Sequence, residues 1–267
     1  MRTVLVAFLI LSGLISSADA GACDTVVADD TYQIVDSGSY CLAADRGIPL
    51  SIVGGDVELD CQGHAIADDS GTQFAGVYID SAADVTVRNC QINNFQIGIY
   101  LRSGDHSQLV NNTISKSRIA AISVYARDSK LIGNRIINYD NPYAAWQENI
   151  QLYLADRAVV MNNVIAGSHG SSVVGLLLDG SADVQVVGNQ FLDFTASEPY
   201  RNVAVEVRHS QRPKFIHNTM MMRTTDAQGL IGITPDVEAT CIANLAIGVL
   251  HSGFGDCLVA ERNTEAP

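Results

Sequence analysis

The chain has 267 residues, of which 47% are hydrophobic, and this content excludes a protein that is disordered throughout. Acidic residues outnumber basic ones by 29 to 16, which gives a net charge of -13 at pH 7. Binding to a phosphate backbone requires a run of lysine and arginine, and the sequence has no such run. We therefore expect no nucleic-acid partner.

The first twenty residues have the pattern of a secretory signal. Arg2 precedes an apolar run at residues 4–15, and Ala18 and Ala20 form a small-residue cleavage pattern. The run is too short to span a bilayer, and no later stretch approaches the roughly eighteen apolar residues that a membrane helix needs. The sequence predicts a signal peptide at 1–20 and a secreted or periplasmic protein without membrane insertion.

Six cysteines lie towards the two ends of the chain, and residues 91–240 contain none. They are Cys23, Cys41, Cys61, Cys90, Cys241 and Cys257. An even number in an exported protein favours disulfides, so we predict the pairs Cys23–Cys41 and Cys241–Cys257. Cys61 and Cys90 either pair or are simply buried. Because no Cys or His spacing is typical of a metal site, we predict no metal ligands and no resident cofactor.

A short pattern recurs eight times between residues 61 and 246, as in Leu-Val-Asn-Asn-Thr-Ile at 109–114. Its fourth residue is an anchor, and successive anchors are 22 to 29 residues apart. The anchors are His64, Cys90, Asn112, Asn134, Asn163, Asn189, Asn218 and Asn244. Repeats of this length indicate a solenoid. We expect Asn there because it tolerates a left-handed turn and its amides can stack as a ladder.

A second strand recurs between the anchors and alternates inward apolar residues with outward ones. Its copies are residues 76–79, 98–101, 121–124, 151–154, 175–178, 204–207 and 232–234. The prediction is an all-β fold, a single-stranded parallel β-helix solenoid of about eight rungs with an Asn ladder. We expect an N-terminal cap and first strands at 21–56, the β-helix at 57–246, and a C-terminal cap and tail at 247–267.

Leucine-rich repeats have a similar length and also form an Asn ladder, so they are the alternative fold. They carry a strict leucine core and often a helical back. The core positions here are rich in Val and Ile, and the connecting segments show no helical periodicity. The pattern therefore favours the β-helix.

The segment Val-Glu-Leu-Asp-Cys-Gln-Gly-His-Ala-Ile at 57–66 and the Asn-x-Ile rungs resemble the right-handed β-helix proteins of the pectate-lyase-like superfamily. The resemblance covers nearly all of residues 50–246 and implies a right-handed coil. It is a poor guide to activity, because the superfamily includes lyases, hydrolases, epimerases, tailspikes and proteins with no known reaction. Ser168-His169-Gly170 resembles one element of the polygalacturonase-like hydrolases, but their other elements have no counterpart here, so no subfamily is assigned.

In proteins similar to this one, the substrate lies along the face formed by the second strand. The predicted outward column is Tyr78, Tyr100, Ser123, Tyr153, Leu177, Glu206 and Thr234. Two positions further along, the predicted column is Asp80, Arg102, Tyr125, Ala155, Asp179, Arg208 and Asp236. Exposed aromatic rings can stack on sugar rings, although tyrosine is also simply favoured on strands. The predicted substrate-binding residues are Tyr100, Tyr125, Tyr143, Trp146 and Tyr153, with Tyr143 and Trp146 on a long loop at 138–148.

Three charged residues are the catalytic candidates. Asp179 and Glu206, roughly 8 Å apart from strand rise and rung spacing, could form an acid/base pair. Arg208 could instead hold a substrate carboxylate while aspartates bind Ca²⁺. The structural alternative is that Asp179, Arg208 and Asp236 form only a cross-strand ion ladder.

These observations support three hypotheses about function. The first is an exported protein that binds or modifies a polysaccharide or oligosaccharide along its exposed strand face. The second is a polysaccharide lyase, C5-epimerase or glycoside hydrolase. The third is a noncatalytic structural or interaction module of the cell envelope.

Overall fold

The structure, a computed structural model, describes residues 23–138, 146–196, 202–222 and 227–266. The predicted signal peptide at 1–20 lies outside the described residues. Short runs of alternating apolar and polar residues form the strands, because side chains on a strand point alternately to its two faces. These strands build three long parallel sheets. From Val57 to Ile231 the chain passes through sheets 1, 2 and 3 in that order in each rung, whereas the two earlier rungs have strands of sheets 1 and 3.

Sheet 1 has eleven strands and sheets 2 and 3 have nine each. The strands of sheet 1 are Thr25–Val26, Gly38–Cys41, Val57–Asp60, Thr86–Arg88, Gln108–Val110, Lys130–Ile132, Val159–Met161, Gln185–Val187, Lys214–Ile216, Thr240–Ile242 and Val259–Glu261. Those of sheet 2 are Ala65–Ala67, Gln91–Asn93, Thr113–Ser115, Arg135–Ile137, Val164–Ala166, Gln190–Leu192, Thr219–Met221, Leu245–Ile247 and Thr264–Ala266. Those of sheet 3 are Gln33–Ile34, Leu50–Ile52, Ala75–Ile79, Ile97–Leu101, Ala120–Val124, Trp146–Tyr153, Ser172–Asp179, Asn202–Arg208 and Gln228–Ile231.

Two short strands, His169–Gly170 and Thr195–Ala196, pair beside the main coil. Two 3-10 helices, Pro235–Val237 and Phe254–Asp256, lie near the C-terminal end. The sheets continue beyond residues 57–246 at both ends, since Gly38–Cys41 pairs with Val57–Asp60 and Val259–Glu261 pairs with Thr240–Ile242. The predicted all-β parallel solenoid of about eight rungs is confirmed.

The core runs along the inside of the coil as columns of like residues. Leu109, Leu131 and Val160 face inward at the same position of successive sheet 1 strands, and each is fully buried. Burying a side chain of this kind stabilises the fold by about 1.5–3 kcal/mol, so each added rung contributes through contact with its neighbours. The described residues include no helix long and apolar enough to span a membrane.

The Asn ladder is confirmed at the turn between sheets 1 and 2. Asn134 donates its side-chain amide to Asn163 Oδ1 at 3.0 Å, and its backbone N–H donates to the same oxygen at 2.9 Å. Its amide also donates to the carbonyl oxygen of Leu109 at 2.8 Å. The same arrangement joins the anchors from Asn112 to Asn244. It ends on Asn263, a member that the sequence reading missed.

The predicted reason for Asn at the anchors was partly wrong. The residue with left-handed backbone geometry is the one before the anchor, as in Asn111 with φ of 54°, Gly133 with 66° and Asn162 with 56°. The anchors Asn112, Asn134 and Asn163 are fully buried instead. Asn is required there because a buried turn has backbone groups that need partners, and one amide supplies a donor and an acceptor.

The two predicted terminal disulfides are confirmed, and the open alternative for the middle pair is settled. Cys23 bonds to Cys41, Cys241 bonds to Cys257, and Cys61 bonds to Cys90. Each bond joins neighbouring turns of the coil near one of its two ends. The described residues contain no free cysteine.

Candidate functional site

The outward face of sheet 3 carries the candidate site, and its register corrects two positions of the first predicted column. Tyr78, Tyr100 and Ser123 stand side by side as predicted. The next residue in this column is Gln151 and not Tyr153, and the column then continues through Leu177, Glu206 and Ile231. Thr234 lies beyond the end of the last strand, so its predicted place was wrong.

The error at Tyr153 has a simple cause. The sequence reading took Leu154 as an inward residue, whereas Ile150 and Leu152 are the buried ones. Leu154 is 67% exposed and has a left-handed backbone with φ of 52°, because the strand ends there. Tyr153 therefore moves into the second column, beside Asp179. Ala155, predicted for that place, is fully buried.

Five aromatic side chains form a continuous row across this face. The ring of Tyr100 lies 5.4 Å from that of Phe74, 5.5 Å from Tyr78 and 5.8 Å from Tyr125, measured between centroids. Tyr125 and Tyr153 stack with centroids 4.8 Å apart and planes 18° from parallel. We call Phe74, Tyr78, Tyr100, Tyr125 and Tyr153 the aromatic row. It brings together three of the five predicted substrate-binding residues.

A groove of about 390 Å³ lies at the Tyr153 end of the aromatic row. It is lined by Ile119, Glu148, Gln151, Tyr153 and Arg208. Gln151 donates from Nε2 to Glu148 Oε2 at 2.8 Å, and the Tyr153 hydroxyl donates to the same oxygen at 3.4 Å. Burial and, after it, the nearby Glu148 carboxylate raise the pKa of Tyr153, so this hydroxyl keeps its proton and acts as a donor.

The three catalytic candidates lie at this groove or beside it. Glu206 is only 8% exposed and accepts a hydrogen bond from Arg208 Nε at 2.6 Å. Asp179 and Arg208 stand opposite each other on neighbouring strands, and Asp179 Oδ1 contacts His209 Nδ1 at 2.9 Å. Among the described residues, Arg208 thus pairs with Glu206 and not with Asp179.

The predicted ion ladder is not formed as written. Asp236 belongs to the 3-10 helix Pro235–Val237 and bonds to Thr234, outside the column of Asp179 and Arg208. Sheet 3 ends at Ile231, so no strand is available to carry Asp236 to that position.

Glu148 and Gln151 belong to the groove and were missed by the sequence reading. Glu148 was assigned to the predicted loop at 138–148, whereas the strand begins at Trp146, which pairs with Ser172. That loop is therefore shorter than predicted. The side chain of Trp146 and the whole of Tyr143 lie outside the described residues, so their predicted roles stay predictions.

A buried polar cluster fixes the strand that supplies Glu148, Gln151 and Tyr153. Asn149 is fully buried, and its Oδ1 accepts hydrogen bonds from Asn138 Nδ2 and Ser168 Oγ, both at 2.9 Å. Its Nδ2 donates to the carbonyl oxygen of Val174 at 3.1 Å. Gly98 occupies the position of Asn149 two rungs earlier. A Cβ on Gly98 would lie 2.6 Å from the carbonyl oxygen of Ala121, so that place admits only glycine. The sequence signal was therefore an Asn in a column of small residues.

Among the described residues, no group of three or more His, Cys, Asp or Glu side chains converges as a metal site would. Aspartates were the residues considered for Ca²⁺ from the sequence, and Asp179 is the aspartate among the catalytic candidates. Asp179 contacts His209, and Glu206 accepts from Arg208. The suggestion of Ca²⁺ stays a prediction.

The family model described as "Right handed beta helix region" matches residues 75–222, which is more than half of the chain. The chain therefore belongs to the right-handed β-helix family. This match confirms the predicted handedness and the resemblance to the pectate-lyase-like type. A search of curated proteins finds no sequence that matches this chain.

Two solved structures have a similar fold. PfbA, a surface adhesin of Streptococcus pneumoniae, shares 10% sequence identity, with 83% of this chain and 62% of that chain covered and a TM-score of 0.55. Pectate lyase Pel9A shares 11% identity, with 81% and 61% covered and a TM-score of 0.52. At these identities the likeness shows the fold alone. This chain spans less than two thirds of the length of either protein.

Proposed function

We propose that this protein binds a polysaccharide or oligosaccharide along the aromatic row of sheet 3. The observation that carries the proposal is the continuous line of five rings that ends at a polar groove. Aromatic rings offer large apolar surfaces to the C–H groups of sugars. Glu148, Gln151 and Arg208 supply charged and amide groups that can bind sugar hydroxyls at the end of the row.

We further propose that the protein is exported. Three disulfides persist only where the surroundings are oxidising, and the apolar run at residues 4–15 has the pattern of a secretory signal. A pectate lyase and a surface adhesin use the same fold, so the coil itself is compatible with work on extracellular polymers.

The binding test compares two residues of similar exposure on different faces of the coil. Tyr125, 41% exposed, is in the aromatic row, and Met221, 42% exposed, is on sheet 2. The mature protein is first screened by calorimetry against acidic and neutral polysaccharides. Tyr125→Ala should weaken binding of a polysaccharide found in that screen by roughly five-fold or more, because a central stacking residue contributes more than about 1 kcal/mol. Met221→Ala should leave the affinity unchanged.

Equal effects from the two substitutions would show that the sugar does not lie on the aromatic row. Absence of binding to every polysaccharide in the screen would contradict the proposed function itself. Circular dichroism of each variant establishes that both remain folded.

A catalytic role is a second candidate, and the burial of Glu206 favours it. A buried carboxylate held by Arg208 at the edge of a groove, with Asp179 on the neighbouring strand, provides two acidic groups for acid/base chemistry. Release of new reducing ends or unsaturated products from a bound polysaccharide would support it. Asp179→Asn and Glu206→Gln should then abolish product formation while binding persists. Binding by the unmodified protein without any product would contradict the catalytic role and leave binding as its function.

A further inference from the structure

A second pocket lies at the opposite end of the aromatic row, towards the N-terminal end of sheet 3. It has a volume of about 210 Å³ and is lined by Tyr32, Pro49, Leu50, Ser51, Phe74, Ala75 and Tyr78. Its lining contains no charged side chain. Tyr32 is 66% exposed and Phe74 is 50% exposed, so two rings stand open to solvent at its mouth. We call it the apolar pocket.

The apolar pocket is continuous with the aromatic row. Phe74 and Tyr78 belong to both, and each of their rings lies within 5.5 Å of the Tyr100 ring. A chain of sugars that lies on Tyr100 and Tyr125 would therefore enter the pocket at its end. This continuity, together with the absence of charge, identifies the occupant as one end of the same glycan, so the inference rests on the proposed function.

We propose that the apolar pocket is a subsite for a 6-deoxyhexose, whose C6 methyl group it buries. The Tyr78 hydroxyl already donates to Asp80 Oδ2 at 3.2 Å and accepts from Arg102 Nη1 at 3.2 Å. A hydroxymethyl or acetyl group placed among Pro49, Leu50 and Phe74 would lose hydrogen bonds to water, and besides Tyr78 only the hydroxyls of Ser51 and Tyr32 in the lining could replace them. A methyl group needs no such partner, and its burial is favourable.

The two ends of the site then have different specificities. Three strand steps, roughly 14 Å at about 4.8 Å per step, separate Ala75–Ile79 at the apolar pocket from Trp146–Tyr153 at the polar groove. A glycan long enough to reach both would gain affinity because its second contact becomes intramolecular. The preferred ligand is therefore an oligosaccharide with a 6-deoxyhexose at one end and hydroxyl-rich sugars over the groove.

The experiment uses pairs of monosaccharides that differ only in the oxygen at C6. Methyl α-L-rhamnoside is compared with methyl α-L-mannoside, and methyl α-L-fucoside with methyl α-L-galactoside, by saturation-transfer NMR on the mature full-length protein. In at least one pair the 6-deoxy member should give a signal at least about three-fold stronger, with the largest transfer at its methyl group, because an apolar pocket discriminates by contact with that group. Tyr32→Ala and Phe74→Ala should each remove most of this signal.

Leu250→Ala is the control, since Leu250 is 70% exposed and lies beyond the last strand of sheet 3. It should leave the signal unchanged, and thermal unfolding establishes that every variant is folded. Equal signals within both pairs, or a preference that survives Phe74→Ala, would overturn the inference. If Tyr125→Ala still weakens polysaccharide binding in that case, only the proposed subsite is wrong. If the unmodified protein binds no polysaccharide in the original screen, the proposed function is wrong.

Discussion

At the scale of single residues, the anchors show how a buried amide stabilises a turn. Asn163 accepts two hydrogen bonds from Asn134 through one oxygen and donates to Asn189 Oδ1 at 2.9 Å and to the carbonyl oxygen of Leu131 at 2.8 Å. All of these atoms are away from water. Removing the Asn163 amide therefore takes the acceptor away from the two Asn134 donors and the side-chain donor away from the carbonyl oxygen of Leu131.

Asn163→Ala should lower the free energy of unfolding by about 3 kcal/mol, because a buried group left without a partner costs about 1–3 kcal/mol and more than one is affected. Urea unfolding followed by circular dichroism measures this change. Asn162→Gly is the matched control at the preceding residue, which is exposed and has φ of 56°. Glycine adopts that geometry without strain, so the control should change stability by less than about 0.5 kcal/mol. A similar loss in both variants would contradict the ladder argument.

A residue could be assigned its place from the sequence when its near neighbours in the chain were enough to identify it. The anchors from Asn112 to Asn244 share a fixed offset from apolar neighbours, so the sequence alone identified them. The left-handed residue before each anchor has no fixed identity, being Asn111, Gly133 or His217. Its geometry could therefore not be assigned from residue type.

At the scale of elements, the strand Trp146–Tyr153 shows why the register of a strand cannot always be predicted from its sequence. Its inward residues could be Ile150 and Leu152 or Leu152 and Leu154, and both choices satisfy the alternation of a strand. The structure selects the first because Asn149 then meets Asn138 and Ser168 at the turn. The one sign of that contact in the sequence is an Asn in a column of small residues, and this sign can be recognised only once the register is known. Glu148 and Gln151 were missed for the same reason.

Asn149→Ala should loosen this strand and weaken glycan binding, although Asn149 touches no solvent. Alanine fits the column, as Ala121 and Ala204 show, but it leaves the Asn138 amide and the Ser168 hydroxyl without their shared acceptor. Hydrogen exchange should rise in Trp146–Tyr153 more than in Ala120–Val124, and affinity should fall roughly three-fold or more. Ala204→Gly, which removes only a methyl group two rungs away, is the control. Unchanged exchange in Trp146–Tyr153 would show that the polar cluster does not position the strand.

The turn between sheets 3 and 1 carries a column of charges on its surface. Arg157 donates to Asp128 from Nε at 2.7 Å, and Arg212 donates to Asp183 from Nε at 2.8 Å. The hydrogen bond from Arg157 is the main cause that lowers the pKa of Asp128. A lowered pKa in the folded state means that this pair stabilises the protein above the unfolded pKa of about 4 and loses that effect as the pH falls.

Arg157→Met should therefore destabilise the protein near pH 7, and this difference should shrink as the pH falls, because protonation of the Asp128 carboxyl removes the ion pair. Thermal unfolding at a series of pH values gives the comparison. Arg135→Met, at an exposed sheet 2 position, serves as a control and should leave the midpoint unchanged throughout the series. A difference for Arg157→Met that does not shrink as the pH falls from about 7 towards about 2 would assign the effect to packing of the arginine stem and not to the ion pair.

At the scale of the whole molecule, each strand of the described coil pairs with strands of the neighbouring rungs. Stability in such a fold is a sum of local contributions, and the terminal rungs have a neighbour on one side only. The periodicity predicted this arrangement, and the number and positions of the cysteines predicted the two terminal disulfides but left the pairing of Cys61 with Cys90 open. The sequence could not predict the site with the same success, because the groove depends on which strand residues meet across rungs.

The disulfides lie where a solenoid is weakest. Cys23–Cys41 and Cys61–Cys90 join the first rungs, and Cys241–Cys257 joins rungs at the other end. Residues 91–240 have no cysteine. Each bond closes a short loop, and such a cross-link stabilises by about 2–4 kcal/mol, mainly by restricting the unfolded chain. Without it, a terminal rung can open while the central rungs stay closed.

Reduction should therefore raise hydrogen exchange first in Gly38–Cys41 and Thr240–Ile242, while Lys130–Ile132 and Val159–Met161 remain protected. The double variant Cys241→Ser with Cys257→Ser separates the two ends, because it should raise exchange at Thr240–Ile242 and leave Gly38–Cys41 as in the unmodified protein. Exchange that rises uniformly along the coil under reductant would mean that the rungs unfold as one unit. In that case the disulfides would act on global stability and not as local staples of the two ends.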